Sequence, residues 1–407
     1  MKIKFLGGAE EVGRLAVKIE EKNSSVMVDY GVVPDKPPKY PMPPEKVDGL
    51  FLTHAHLDHC GGLPMYYHSL DAKFYSTILT ANSIKPLLLD SLKIAGLEGY
   101  PQMFNSDDVS MLYDHFNEAV YGEQFDLGDF RVTPQSAGHI PGSTMWKFEN
   151  SQSVMVTGDI YTRDTMLLNG AKPTKADILV IESTYAGKNH EERGQVISRL
   201  KSRIAEVVDD GGKVILPTFA VGRTQELAMI LSDTGYDISV DGMGNSITDI
   251  YMHTNGFLRS NSEFLKNIKK TRKIKGWRMR ERALESDIVI TTSGMLDGGP
   301  VLGYIDKLQN DTKSAIFLTG YQVENTNGRS LLENGTMKIA GVSVKPQMKV
   351  DFFDLSAHAG HDDLIRFIKN VDPQKVILCH GEKREELLHD LDGYDVMLPM
   401  NGHEFTA

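Results

Sequence analysis

The sequence predicts an α/β protein. Three observations carry that expectation: a first part rich in short strands, a middle part where strands alternate with helices, and a His-rich bend, "FLTHAHLDHCGG", at the end of an apolar strand. In the first ~185 residues, "KIKFLGG", "AVKIE", "SVMVDYG", "DGLFLTH", "AKFYST", "DFRVTPQ", "TMWKFE", "SVMVTGD" and "DILVIEST" read as short strands parted by Gly, Asn and Asp turns. Helical patterns are expected only near 80–95 and 106–118. The proline-rich "PDKPPKYPMPPEK" reads as a loop, because proline cannot donate to a central ladder.

Near residue 187 the pattern changes. "HEERGQVISRLKSRIAEVVDDGG" has helical spacing and a Gly-Gly stop. "KVILPT", "DISVDG", "SDIVITTSG" and "SAIFLTG" follow with helices between them, which predicts a parallel sheet. Each of these strands ends in small or polar residues, where open parallel sheets bind ligands. "KVDFFDLSAHAG" to "DVMLPMNG" then reads as strand, helix, strand, helix, strand.

A chain of 407 residues with 41% hydrophobic and 24% charged residues suits a soluble protein with about two cores. No apolar run reaches the ~18 residues of a membrane span, and the N-terminus lacks a signal-peptide pattern, so a cytoplasmic protein with no membrane contact is expected. Two cysteines, Cys60 and Cys379, cannot form a disulfide framework. The net charge of -11 argues against a non-specific nucleic-acid coat, yet "KNIKKTRKIKGWRMRER", 266–282, is strongly basic. It reads either as a solvated helix face or linker, or as a rim that steers a polyanion.

His54, His56, Asp58 and His59 follow one strand within six positions, and Gly61-Gly62 end the bend. Residues i and i+2 leave a strand on one side, so His54 and His56 can point together; Asp58 and His59 lie after the turn and can face a second point. These donors suit zinc-like cations and begin two adjacent sites without completing either. Further donors sit where strands run into glycine: His139 in "SAGHIPGS", Asp159 in "VMVTGDI" and His380 in "KVILCHGE". Asp159 alone would read as a turn residue. Beside the His-rich bend it reads as the bridging carboxylate of a dinuclear centre. Asp29, in "VMVDYG", is expected behind the ligands, accepting the outward N–H of a ligand histidine. Cys60 and Cys379 adjoin ligands but face the other way, as packing residues.

HxHxDH followed by His139, Asp159 and a terminal His resembles the metallo-β-lactamase superfamily, whose fold is an αββα sandwich with two metals at the sheet edge. The long stretch between Asp159 and His380 implies an inserted domain. That insertion looks like the β-CASP α/β domain of nucleic-acid-processing members, with Glu182 in "VIESTY" and His358 in "DLSAHAG" as matching features. The strings "GGAEEVGR", "PTFAVGRTQE", "TTSGML" and "GYQVENTNGRSL" are similar to archaeal relatives of the cleavage and polyadenylation specificity factor nuclease. Likeness to RNase J is weaker. The expected arrangement is a first metallo-β-lactamase part at 1–186, the β-CASP domain at 187–348 and a returning part at 349–407.

The resemblance implies a ribonuclease with two Zn2+ per chain. His54, His56 and His139 would hold one ion, and Asp58, His59 and His380 the other, with Asp159 shared. His358 would protonate the leaving oxygen with Glu182 supporting it, giving 5′-phosphate and 3′-hydroxyl products from RNA, preferably single-stranded, in the cleft between the domains. Ser246, Ser293, Gly294 and Ser356 are expected at the RNA phosphates. The chain starts directly at the catalytic domain, without the KH domains of longer relatives, which favours a generic handle such as a free 5′-phosphate and hence 5′→3′ exonuclease action. The alternatives are an endoribonuclease in RNA 3′-end processing, a non-catalytic RNA-binding subunit and a small-molecule metallo-hydrolase. A homodimer, or assembly with a longer paralogue, is compatible with the sequence.

Overall fold

The computed structural model describes residues 1–406 and divides into two compact units. The first holds Met1–Asp164, Leu168–Asn189 and the stretch from Ala357 onward; the second holds Thr165–Leu167 and His190–Ser356.

Two seven-stranded sheets build the first unit. One runs Glu404–Thr406, Lys2–Gly7, Ala16–Glu21, Ser24–Val28, Gly49–Phe51, Lys73–Ser76, Phe116–Glu118. The other runs Asp395–Met397, Lys375–Cys379, Ile178–Glu182, Ser153–Val156, Thr144–Glu149, Phe130–Ser136, Phe125–Leu127. Alternation along the strands sorts their side chains. Val26, Val28 and Phe51 of the first sheet join Trp146, Phe148, Val154, Val156, Ile178 and Val180 of the second in one core. Their neighbours Met27, Leu50 and Phe74 are equally buried and so face the helical layer outside the first sheet. On the far side of the second sheet, Met155, Leu179, Ile181, Val376 and Leu378 pack with Leu364, Phe367, Ile368 and Val371 of helix His361–Val371. The result is an αββα sandwich.

The second unit is a six-stranded sheet ordered Thr271–Lys273, Ile238–Asp241, Ile288–Thr291, Val214–Pro217, Ala315–Leu318, Lys349–Phe352, and every pairing in it is parallel. Val214–Pro217 and Ile288–Thr291 are buried along their whole length, as strands covered on both faces must be.

The structure corrects several expectations. Lys349–Phe352 does not open the returning part; it pairs with Ala315–Leu318 as the last strand of the parallel sheet, and the second unit closes at Ser356. That unit begins at His190 and also takes up Thr165–Leu167. The expected helix 106–118 stops at Asp114, and Phe116–Glu118 pairs with Lys73–Ser76. Phe125–Leu127 and Glu404–Thr406 are edge strands that the pattern did not reveal. The basic stretch is neither one helix face nor a linker: it ends one helix, supplies Thr271–Lys273 and then turns through Trp277–Met279. Among the described residues, no helix is long and apolar enough to cross a membrane.

Trp146 links the sandwich to the His-rich bend. It is fully buried, meets Phe51 edge-on at 4.9 Å, and its indole N–H donates to the Leu52 carbonyl at 3.1 Å. One residue on, the Thr53 carbonyl accepts from the Thr144 amide at 2.8 Å. Trp146→Ala should lower the unfolding free energy by about 3–5 kcal/mol, read from urea melts. A loss near zero would show that the core does not depend on this contact.

Candidate metal centre and proton donor

Six segments of the first unit deliver side chains to one buried locus. Strand Gly49–Phe51 leads into His54 and His56, and the short helix Leu57–Cys60 carries Asp58 and His59. His139 follows strand Phe130–Ser136, Asp159 follows Ser153–Val156, Glu182 ends Ile178–Glu182, and His380 follows Lys375–Cys379. Gly158 is required for this delivery: its φ is +55°, and a Cβ there would come within 2.6 Å of the Thr53 side chain.

Two donor sets share Asp159, and Glu182 and His358 form a third, three-membered group with it. His54, His56, His139 and Asp159 place one ligand atom each within a few ångströms of one another, and so do Asp58, His59, Asp159 and His380. Asp159 divides its oxygens between them. Its Oδ2 lies 3.4 Å from His54 Nε2 and 3.7 Å from His139 Nε2, while its Oδ1 lies 3.4 Å from His59 Nε2 and 3.6 Å from His380 Nε2. His380 reaches the cluster from a left-handed backbone conformation, φ 51°, and its Nε2 is 3.5 Å from Asp58 Oδ2.

Hydrogen bonds behind the donors set which ring nitrogen faces inward. His139 Nδ1 lies 2.6 Å from the Ala357 carbonyl, His54 Nδ1 lies 3.1 Å from the Thr53 hydroxyl, and His59 Nδ1 lies 2.7 Å from Asp29. In each case Nδ1 meets its partner on the outer side and Nε2 faces inward. Asp29 has full burial and φ 61°, and it also accepts from the Thr53 amide at 2.7 Å and the Thr53 hydroxyl at 2.8 Å.

Cations fit this arrangement. His54 Nε2 and His139 Nε2 lie only 3.1 and 3.2 Å from His56 Nδ1, so inward nitrogens converge. Buried His59 Nε2, His380 Nε2 and Asp159 Oδ1 have no hydrogen-bond partner. Such atoms are costly to leave unsatisfied, and a metal ion would satisfy them. Burial, with His59 adding to it, drives His54 down to about 3 and so leaves it a neutral ligand. Burial pushes His59 down as well, but Asp159, Asp58 and Asp29 outweigh it and hold His59 well above its ordinary range. The second set therefore attracts positive charge.

Beside the clusters, His358 Nδ1 lies 3.2 and 3.3 Å from the two oxygens of Glu182 and 3.8 Å from Asp159 Oδ2. Glu182 is fixed by the Ile160 amide at 2.9 Å. Burial opposes charge on His358, yet Glu182 and Asp159 outweigh it and raise its pKa to about 9. Cations held at Asp159 would offset part of that pull and bring the value toward neutrality. The Tyr185 ring lies nearly parallel to His358, with centroids 6.0 Å apart.

The structure thus brings together His54, His56, Asp58, His59, His139, Asp159, His380, Glu182, His358 and Asp29. Ser246, Ser293, Gly294 and Ser356 belong to the second unit. Ser246 is exposed in the first turn of helix Gly244–His253, Ser293 and Gly294 follow strand Ile288–Thr291, and Ser356 is buried, its amide donating to Asp354 at 3.1 Å. Cys60 and Cys379 are buried free thiols. Sequence reasoning missed Thr53 and Tyr185. Thr53 had a signal, since a hydroxyl adjoining a ligand histidine is well placed to orient it; Tyr185 had none.

Residues 19–183 match the metallo-beta-lactamase superfamily domain, 224–331 the Beta-Casp domain, and 343–399 the Zn-dependent metallo-hydrolase RNA specificity domain. The chain is 37% identical to Probable RNase MJ4 of Methanocaldococcus jannaschii, over 99% of both chains. The chain belongs to the β-CASP metallo-β-lactamase family. It is 36% identical to RNase aCSPSF2 of Saccharolobus solfataricus, over 99% of this chain and 85% of that one. A crystal structure of a protein of unknown function from Enterococcus faecalis V583 is similar in fold alone, with TM-score 0.63 and 14% identity over 99% of both chains.

Asp29 supports the candidate ligands of this β-CASP protein without facing the clusters' centre. Asp29→Ala should weaken metal retention roughly 10- to 100-fold against a competing chelator. Undiminished retention would remove Asp29 from that supporting role.

Proposed function

We infer that the protein is a zinc-dependent ribonuclease that hydrolyses RNA phosphodiester bonds to 5′-phosphate and 3′-hydroxyl products, working 5′→3′ from a free end. Its family makes it a metal-dependent hydrolase acting on RNA. The observation that carries the finer reading is the His358–Glu182 pair beside two donor sets that share Asp159.

His54, His56 and His139 would hold one zinc, Asp58, His59 and His380 the other, with Asp159 contributing one oxygen to each. Bound there, the two ions would lower the pKa of a water and stabilise negative charge on the phosphate. The chain's own residues do the rest. Glu182 accepts the His358 Nδ1–H, which fixes the ring and stabilises its charged form. The opposite nitrogen, Nε2, is then the proton-bearing atom available to the departing 3′ oxygen. Asp29 and Thr53 hold His59 and His54 in the tautomers that keep lone pairs on the inward nitrogens. In the second unit, the glycine-containing turns at Gly242–Ser246 and Ser293–Gly294 offer backbone N–H groups and hydroxyls suited to a phosphate. A small-molecule hydrolase would have no need of a general acid tied to Glu182, nor of a second unit of this size. An RNA substrate supports a cytoplasmic location for the enzyme.

His358→Ala separates general acid from ligand. Two metal equivalents should remain by elemental analysis while cleavage falls roughly 10²–10⁴-fold. Loss of metal would make His358 a ligand instead.

Direction is read by comparing 5′-labelled, 3′-labelled and circular RNAs on one gel. We expect mononucleotides from the 5′ end, faster on 5′-monophosphate than on 5′-triphosphate RNA, and an intact circle. Efficient cutting of the circle would make the enzyme an endonuclease.

A further inference from the structure

The chain has two tryptophans, and they are placed oppositely: Trp146 is fully buried, whereas Trp277 is 72% exposed. Trp277 stands at the tip of the basic stretch, flanked by exposed Lys275, Gly276 and Arg278. The Arg278 guanidinium lies 5.4 Å from its ring centroid.

Packing does not account for this ring. Lysine and arginine on the edge strand Thr271–Lys273 have a structural use, since charge blunts an open sheet edge. An exposed indole beside that edge has the opposite effect and would promote adhesion. The ring is nevertheless firmly presented. Gly276 turns the chain outward at φ +79°. Ile274 and Ala283 are buried in the unit's core on either side, and Met279 packs against it. Arg280 donates to buried Asp241 at 2.8 Å, and Tyr304 donates to the same oxygen at 2.9 Å. The base of the loop is therefore fixed, while its tip carries an aromatic face.

Only part of the charge in the stretch is consumed internally: Arg272 pairs with Glu285. Lys273 pairs with Asp249, and Arg280 with Asp241. Among the described residues, Lys269, Lys275, Arg278 and Arg282 form no ion pair. This concentration of positive charge belongs to a chain with 44 Lys and Arg against 55 Asp and Glu. The loop also adjoins the turn that carries Ser246: the Asn245 side-chain amide donates to the Val240 and Ile274 carbonyls at 2.8 and 3.2 Å.

We propose that Trp277 is a stacking platform for an unpaired base of single-stranded RNA, with Lys269, Lys275, Arg278 and Arg282 contacting the adjoining phosphates. This rests on the ribonuclease reading. A π-face next to free cations matches a ligand that alternates bases and phosphates, and stacking tolerates any base because every base has such a face. Arg278 can add its guanidinium to the stack. The platform would hold substrate on the second unit and take no part in bond breaking.

The test is fluorescence anisotropy with two labelled 12-mers of equal charge, one an adenosine oligomer and one with abasic sugars. It uses the metal-loaded full chain carrying His358→Ala, with oligomer integrity checked on a gel. Binding of the adenosine oligomer by that protein tests the ribonuclease reading; the variants test the platform. Adding Trp277→Ala should weaken the adenosine oligomer roughly tenfold and leave the abasic oligomer and the salt slope unchanged. Trp277→Phe should restore most of the loss. Lys275→Gln with Arg278→Gln should weaken both oligomers and flatten the salt dependence. Unchanged adenosine affinity in Trp277→Ala overturns the assignment, and so does an equal loss for the abasic oligomer. Trp277-dependent binding to anionic-lipid vesicles, with oligomer binding unaffected, would overturn it in favour of a membrane surface.

Discussion

Asp29 is the buried carboxylate on which the donor cluster hangs. It accepts the Thr53 amide, the Thr53 hydroxyl and the His59 ring N–H within 2.8 Å. The hydroxyl it fixes lies 3.1 Å from His54 Nδ1, so one carboxylate orients a histidine of each donor set. A buried, fully hydrogen-bonded anion of this kind holds its neighbours in one arrangement, because every alternative leaves a charge or an N–H unpaired. Trp146 and Thr144 secure the same bend from the other sheet through the Leu52 and Thr53 carbonyls. The sandwich and the site are thus fastened at the same few residues.

From that anchor the chemistry separates into layers. Asp159 stands at the centre, with one oxygen toward each donor set. Glu182 and His358 stand beside it as a second carboxylate–imidazole pair. Burial makes His54 a neutral ligand, whereas the carboxylates draw positive charge to His59 and His358. Histidines at this one locus therefore differ by surroundings, although all are imidazoles.

Much of this was legible in the sequence because strands announce their ends. His54, Asp159, Glu182 and His380 each follow or close an apolar run and His139 sits between glycines after a strand, so a donor at a strand terminus was readable from pattern alone. The His-rich bend was legible from spacing alone. What stayed hidden depended on long-range pairing. "KVDF" carries a strand pattern but nothing that says which sheet it joins, and it pairs with Ala315–Leu318 in the second unit. "FNE" is half-exposed at a sheet edge and follows a helix without a break in polarity, so the helix was extended over it. Tyr185 meets His358 across 173 residues of sequence, a contact that no local pattern announces.

We propose that Asp159 joins two separate cation sites while His358 stays outside both. Anomalous scattering at the zinc edge, from crystals of protein purified without chelator, tests it most directly. Two peaks are expected, one among His54, His56 and His139 and one among Asp58, His59 and His380, both reached by Asp159. A single peak, or one centred on His358 and Glu182, would contradict it.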